Sequence, residues 1–258
     1  MPRRRNSNRR RRGSFGFLYK LLSVLVICGA IVAALTLFFR VDTVVITGQQ
    51  RYTQEEIWAA TGVELGDNLF LLNKYGMADS IATALPYINI EDVWIRRKLP
   101  DTLLIDVKEC GTPMAVFQGD SAWLVSASGK IVEQRTAAAA SEYGVIDGCL
   151  LLAPSVGTRI ALASEYAGQQ RSLLALLAAL EEAGELEQVD AIHLADVSTL
   201  TMDYGGRFTV RLPYDADYPR KLRMLRQSLD SGAIQDNMTG TFDMRSDNGE
   251  VHFIPRGR

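Results

Sequence analysis

Residues able to do acid–base, nucleophilic or metal chemistry are sparse in this chain of 258 residues. There are two histidines, His193 and His252, and three cysteines, Cys28, Cys110 and Cys149. His193 stands between Ile192 and Leu194, and His252 between Val251 and Phe253. Each therefore reads as a strand residue projecting from a sheet face rather than as a zinc ligand. No HExxH, CxxC, GxSxG or Walker sequence occurs. Thirty carboxylates leave one enzymatic option, a paired acid and base of the glycosidase kind, which would suit a cell-wall-active enzyme. No motif places such a pair, so the expectation is a non-catalytic protein with no cofactor, metal or small-molecule substrate. Two cysteines beyond residue 40 are too few for a disulfide framework, although a single Cys110 to Cys149 bridge stays open.

With little chemistry to position, the arrangement of the elements carries the information. The net charge of -2 conceals two halves: residues 1–40 hold nine basic residues and no acid, and the remainder carries -11. Seven arginines lie at Arg3 to Arg5 and Arg9 to Arg12. After Lys20 an uncharged run from Leu21 to Phe39 would make about 28 Å of helix, enough to cross a bilayer. Basic residues are retained on the cytoplasmic side, which predicts a cytoplasmic tail (1–20), a span (21–39) and an extracytoplasmic remainder. A cleaved secretory signal with Val32, Ala33 and Ala34 at the cut is the alternative, but the apolar run continues past the usual h-region. The acidic remainder lacks the concentrated positive face that nucleic acid requires, so a protein partner is expected.

Residues 41–110 read as a compact β-α-α-β-β unit. Val41 to Thr47 reads as a strand ended by Gly48, and Thr53 with Glu56 makes a capping box that opens a helix over Gln54 to Thr61. A second helix is predicted over Tyr75 to Leu85, stopped by Pro86. Strands near Ile90 to Arg96 and Thr102 to Lys108 join through Leu99, Pro100 and Asp101. Behind a single span, this unit resembles the POTRA domain of the FtsQ/DivIB family of bacterial cell-division proteins. The matching residues are Gly48, Tyr52, Gly66, Asn68, Leu69, Phe70, Pro86, Arg96, Arg97, Pro100, Asp101, Leu103, Ile105, Val107 and Glu109. Leu99 and Cys110 depart from the usual pattern. A secretion or outer-membrane assembly module could also carry POTRA units, but it would repeat them or continue into a long β-barrel.

From residue 111 to 255 the chain turns to short strands with covering helices, giving an α+β protein overall. Ala122 to Val125 and Lys130 to Glu133 flank a turn, and Thr136 to Ser141 reads as a loop. Gln169 to Gly184 is an amphipathic helix with leucines at helical spacing. Gly205 and Gly206 join Thr199 to Tyr204 and Arg207 to Leu212 as a tight hairpin. A helix over Tyr218 to Leu229 carries Arg220, Lys221, Arg223 and Arg226, a basic face suited to an acidic partner segment. The closing stretch, with Asp243, Arg245, Gly249, Val251, Phe253 and Pro255, again resembles the family's second domain; residues 256–258 form a short tail. The resemblance implies a scaffold at the division septum of the cell membrane that recruits FtsL-like and FtsB/DivIC-like partners by strand pairing at the edge of this domain. The positions carried over are Phe242, Asp243, Met244 and Arg245 as the pairing strand, with Asn248, Gly249 and Phe253 nearby.

Overall fold

The computed structural model describes residues 15–235, 237–246 and 250–256. The arginine block before Lys20, together with Asn248 and Gly249, lies outside the described residues. Helix α1 (Phe15–Phe38) contains one stretch, Gly16–Phe38, that is long and apolar enough to cross a membrane. Its uniform apolarity, with no polar stripe, is what lipid on all sides demands.

Beyond it come β1 (Thr43–Thr47), α2 (Gln54–Thr61), α3 (Lys74–Ala84), β2 (Ile88–Lys98) and β3 (Thr102–Glu109), the β-α-α-β-β order of the POTRA unit. The capping box is formed: Thr53 Oγ1 accepts the Glu56 N–H, and the Glu56 carboxylate accepts the Thr53 N–H at 2.8 Å. The three strands form a sheet in the order β1-β3-β2. At Gly48 (φ +88°) a side chain would collide with the Val107 carbonyl, so the crossing of β1's end with β3 requires glycine.

The second region contains β4 (Met114–Gln118), β5 (Ser121–Val125), β6 (Ile131–Thr136), β7 (Val145–Asp147), α4 (Ala167–Ala183), β8 (Val189–His193), β9 (Thr199–Tyr204), β10 (Phe208–Pro213), α5 (Tyr218–Asp230), β11 (Gly240–Asp243) and β12 (His252–Pro255). They build one nine-stranded mixed sheet in the order β12-β11-β10-β9-β8-β7-β4-β5-β6. Helices α4 and α5 bury Leu173, Leu176, Leu177, Leu180, Leu222 and Leu225 against one face, with Ile192, Met202, Val210 and Phe242 beneath them. Two strands, β4 and β7, are absent from the sequence-based expectation. Thr136 belongs to β6, and Ala138–Ala140 is a 3-10 turn with Ala140 buried rather than an open loop.

By contact the chain divides into two compact units, and the division runs through the POTRA strands. One holds residues up to Val45, Val63–Lys74 and Ile95–Ile105; the other holds Ile46–Gly62, Tyr75–Trp94 and Asp106–Arg258. Within the second unit, Lys130 is buried and its ammonium donates to the carbonyls of Ala82 (2.7 Å) and Ile88 (2.9 Å). Tyr87 donates its hydroxyl to Glu133 at 2.7 Å and packs with Ala115, Ala122, Leu124 and Val132. Burial holds the Lys130 ammonium below the usual lysine pKa and pushes the Tyr87 phenol up.

Candidate partner-binding site

At the C-terminal end of the nine-stranded sheet, main-chain groups are left open beside an apolar groove. Strand β11 is interior: it pairs in parallel with β10 (Val210 opposite Phe242) and antiparallel with β12 (Phe242 opposite Phe253). The expectation that Phe242 to Arg245 forms the open edge is therefore corrected. Phe242 is fully buried, its ring 5.2 Å from Phe208 and 4.9 Å from Phe253, and Met244 is buried as well. Asp243 and Arg245 hold one another: the guanidinium donates to both carboxylate oxygens, at 2.9 Å from Nε and 2.6 Å from Nη2. That bidentate pair lowers the Asp243 pKa to about 2.

The last strand of the sheet is β12, paired on one side by β11. Its orientation follows from the register. Arg256 N–H donates to Thr239 O, and successive residues of a strand turn alternate ways, so His252 and Ile254 bond to β11 while the N–H and C=O of Phe253 point outward. Pro255 contributes no donor, which limits the open ladder to a short stretch. The Phe253 ring is half-buried over Phe242, and His252 and Ile254 are exposed on the opposite face. Beside the strand lies a groove of about 460 Å³ lined by Met224, Ser231, Ile234, Val251 and Phe253 among others.

Two residues that hold this edge escaped the sequence reading. Gly240 lies opposite Pro255, and a Cβ there would come within 2.5 Å of Ile254 O and 2.7 Å of the Phe253 ring, so glycine permits β12 to close on β11. Lys221 is buried rather than solvated on a basic face: Nζ donates to Met244 O at 2.8 Å and Ser246 O at 2.6 Å, fixing the chain where it leaves β11. The signal was present in the spacing, because Lys221 stands four residues before Leu225 and shares its face. Arg226 is likewise engaged, pairing with buried Glu185 and donating to Ala183 O. Arg220 and Arg223 are exposed but point to different surroundings. Arg223 lines the cleft between α4 and α5, whereas Arg220 stands one turn before Met224 of the groove.

The POTRA positions play structural parts. The Glu109 carboxylate accepts the N–H groups of Gln50, Arg51 and Tyr52 at 2.7–3.1 Å, tying the end of β3 to the turn before α2. Tyr52 accepts the Tyr87 N–H just after Pro86, and Arg97 donates to Leu72 O at 2.7 Å. Gly66 has φ +98° in the loop before Phe70, whose ring packs edge-on against Phe39. Arg96 is exposed on β2, and Pro100 sits in the β2–β3 turn. Cys110 and Cys149 are separate thiols, pushed up to about 12 and about 11 by burial, so neither is a reactive thiolate.

Residues 39–109 match the family described as POTRA domain, FtsQ-type. The chain is similar to proteins of the FtsQ/DivIB family. It is 29% identical to the cell division protein DivIB of Clostridium acetobutylicum over 123 residues, 48% of each chain. It is 26% identical to the cell division protein FtsQ of Geotalea daltonii over 195 residues, 74% of this chain and 66% of that one. A DivIB of Clostridium botulinum is 30% identical over 98 residues, 38% and 37% of the two chains. The alignment thus spans about half or less of the DivIB relatives' length; what the chain shares with them is the POTRA unit, behind an apolar N-terminal helix long enough to cross a membrane.

Proposed function

We propose that the chain is a non-catalytic, membrane-anchored scaffold of the division septum that recruits FtsL-like and FtsB/DivIC-like proteins, a partner segment pairing with β12. The N-terminus is cytoplasmic, because the arginine block is retained there, and the sheet lies outside the cytoplasm. The observation that carries the reading is the position of β12 as the last strand of a nine-stranded sheet. Such an edge accepts an extended segment through main-chain hydrogen bonds, and side chains beside it set specificity. Here those would be Phe253, exposed Ile254 and the groove residues Met224 and Ile234, with Arg220 at the groove's approach.

The test separates backbone from side chain at one position. In the full chain, Phe253→Pro removes the outward N–H, while Phe253→Leu keeps that N–H and an apolar side chain. Copurification with the FtsL and FtsB/DivIC counterparts should fall about tenfold or more for the proline variant and stay near the parent for leucine. Equal recovery in the two variants would refute pairing at β12. A fluorescent fusion gathering at midcell in dividing cells checks the septal assignment.

A further inference from the structure

The segment after the membrane helix carries apolar side chains at a height that the helix itself fixes. Twenty-three residues from Gly16 to Phe38 run about 35 Å at 1.5 Å per residue, so the last turn of α1 reaches the boundary between acyl chains and headgroups. The loop between α2 and α3 is bonded to that turn. Asn68 donates its side-chain amide to Leu35 O at 3.1 Å, adding to the long 3.4 Å bond that this last-turn carbonyl accepts from the Phe39 N–H. Leu69 N–H donates to Phe39 O at 3.0 Å, Val41 N–H to Asp67 O at 2.8 Å and Gly66 N–H to Val41 O at 2.8 Å. The Phe70 ring stands edge-on to Phe39 with centroids 5.0 Å apart. Asp42 N–H donates to Asp101 O at 2.9 Å, which brings in the β2–β3 turn as well. All these residues belong to one compact unit.

Held there, the loop and turn expose Leu71 (80%), Leu65 (66%), Leu99 (54%) and Phe70 (47%). Phe70 donates its N–H to Asn68 Oδ1 at 2.9 Å, so the residue that caps α1 also shapes the turn that presents Leu71. The charges around them have both signs: Arg40 and Lys98 are exposed, Asp67 accepts the Glu64 N–H, and Asp101 accepts the Thr102 hydroxyl. Four large apolar side chains in water beside a membrane helix are uncompensated, whereas the same side chains a few ångströms into the headgroup layer are buried.

We propose that Leu65, Phe70, Leu71 and Leu99 form an apolar foot seated in the outer leaflet of the bilayer that α1 crosses. Lipid is the occupant because the foot continues the surface that α1 already presents to lipid, and because its bonds to Leu35 and Phe39 set its depth. The inference rests on reading α1 as a span. Asn68 is the positioning residue, joining the span to the foot.

The test uses the full chain in vesicles of phosphatidylcholine and phosphatidylglycerol in equal parts, with one environment-sensitive nitrobenzoxadiazole label per molecule. A Cys110→Ser, Cys149→Ser variant carries the label at Cys28 inside the span. Two variants that also have Cys28→Ser carry it at Leu71→Cys or at Val197→Cys, an exposed site of the large sheet's β8–β9 connection. The Leu71→Cys label should emit to the blue of the Val197→Cys label and be quenched about twofold by lipid spin-labelled near the headgroup, as an interfacial side chain would be. Quenching at Cys28 by lipid spin-labelled deep in its acyl chain, with none at Leu71→Cys by the headgroup label, overturns the foot and leaves the span standing. A blue shift at Leu71→Cys without lipid quenching also overturns it, since protein and not lipid would then cover the loop. No quenching at Cys28 by the deep acyl-chain label removes the span and the foot together.

Discussion

The two edges of the nine-stranded sheet are finished differently. At the β6 edge the chain covers the start of the strand with its own backbone. Ile131 N–H donates to Thr158 O, Ile131 O accepts the Gly157 N–H, and Lys130 and Glu133 are held by Ala82, Ile88 and Tyr87. At the β12 edge, no hydrogen bond to the outward groups of Phe253 is present among the described residues. An open edge is a liability in a solitary protein, and natural sheets blunt or cover one that has no partner. The start of β6 is covered internally, whereas the free stretch of β12 ends at Pro255 and has the groove of Met224, Ile234 and Phe253 beside it, so it is the β12 edge that pairs open main chain with an apolar recess.

The largest way to break this contrast is from inside the open end. Phe242→Ala removes the ring packed between Phe208 and Phe253 and should cost about 3–5 kcal/mol in urea unfolding, with partner capture lost together with stability. Lys130→Met attacks the β6 end. It keeps the aliphatic stem but leaves the Ala82 and Ile88 carbonyls without their donor, for a loss of about 2–4 kcal/mol. In this variant the folded fraction should bind partner as the parent does. A matching fall in partner affinity would show that the two ends are not independent.

Smaller and more local is Gly240→Ala. The added methyl meets Ile254 O and the Phe253 ring, so β12 must lift from β11, at about 1–3 kcal/mol. Hydrogen exchange should quicken at His252 and Ile254 while β5 and β6 keep their protection. Partner capture should fall by more than this stability loss accounts for; capture unchanged from the parent would argue that β12's seating on β11 is irrelevant to binding.

Why the edge was misplaced by one strand is a matter of which signals are local. The Thr53–Glu56 box, the Gly205–Gly206 hairpin and the leucine spacing of α4 are written within a few residues, and all are found where the sequence puts them. Strand order is not local. β11 reaches β10 in parallel only after the α5 crossover, so alternation in Gly240 to Asp243 says it is a strand without saying it is interior. β7 escaped for the same reason, as three residues, Val145–Asp147, inserted in parallel between β4 and β8. Lys221 is legible by spacing, although its charge groups it with the arginines of α5. Lys130 gave no periodic cue, because the carbonyls that hold it lie more than forty residues away in the chain.

Between the two ends, the exposed face of the sheet offers a perturbation that should touch neither. His193 on β8 sits between Asp147 of β7 (Nδ1, 2.8 Å) and Asp203 of β9 (Nε2, 3.1 Å), on the face turned away from Ile192 and the helices. Partial burial lowers the imidazole pKa, but the two carboxylates outweigh it and the net shift is upward. A folded-state pKa above the unfolded one means the folded state binds more protons in that interval. The stabilisation is therefore full below the unfolded value, near 6.5, and lost as pH rises through the folded value. With the imidazole about one-third exposed, solvent screening limits the effect to a few tenths of a kcal/mol. Urea midpoints should fall slightly between about pH 6 and about pH 9, and His193→Gln should remove that part of the slope. Partner capture by the folded His193→Gln protein should match the parent at both pH values. A pH-dependent loss of capture confined to the parent would instead couple this central cluster to the β12 edge, and the two ends of the sheet would then have to be treated as one responsive surface.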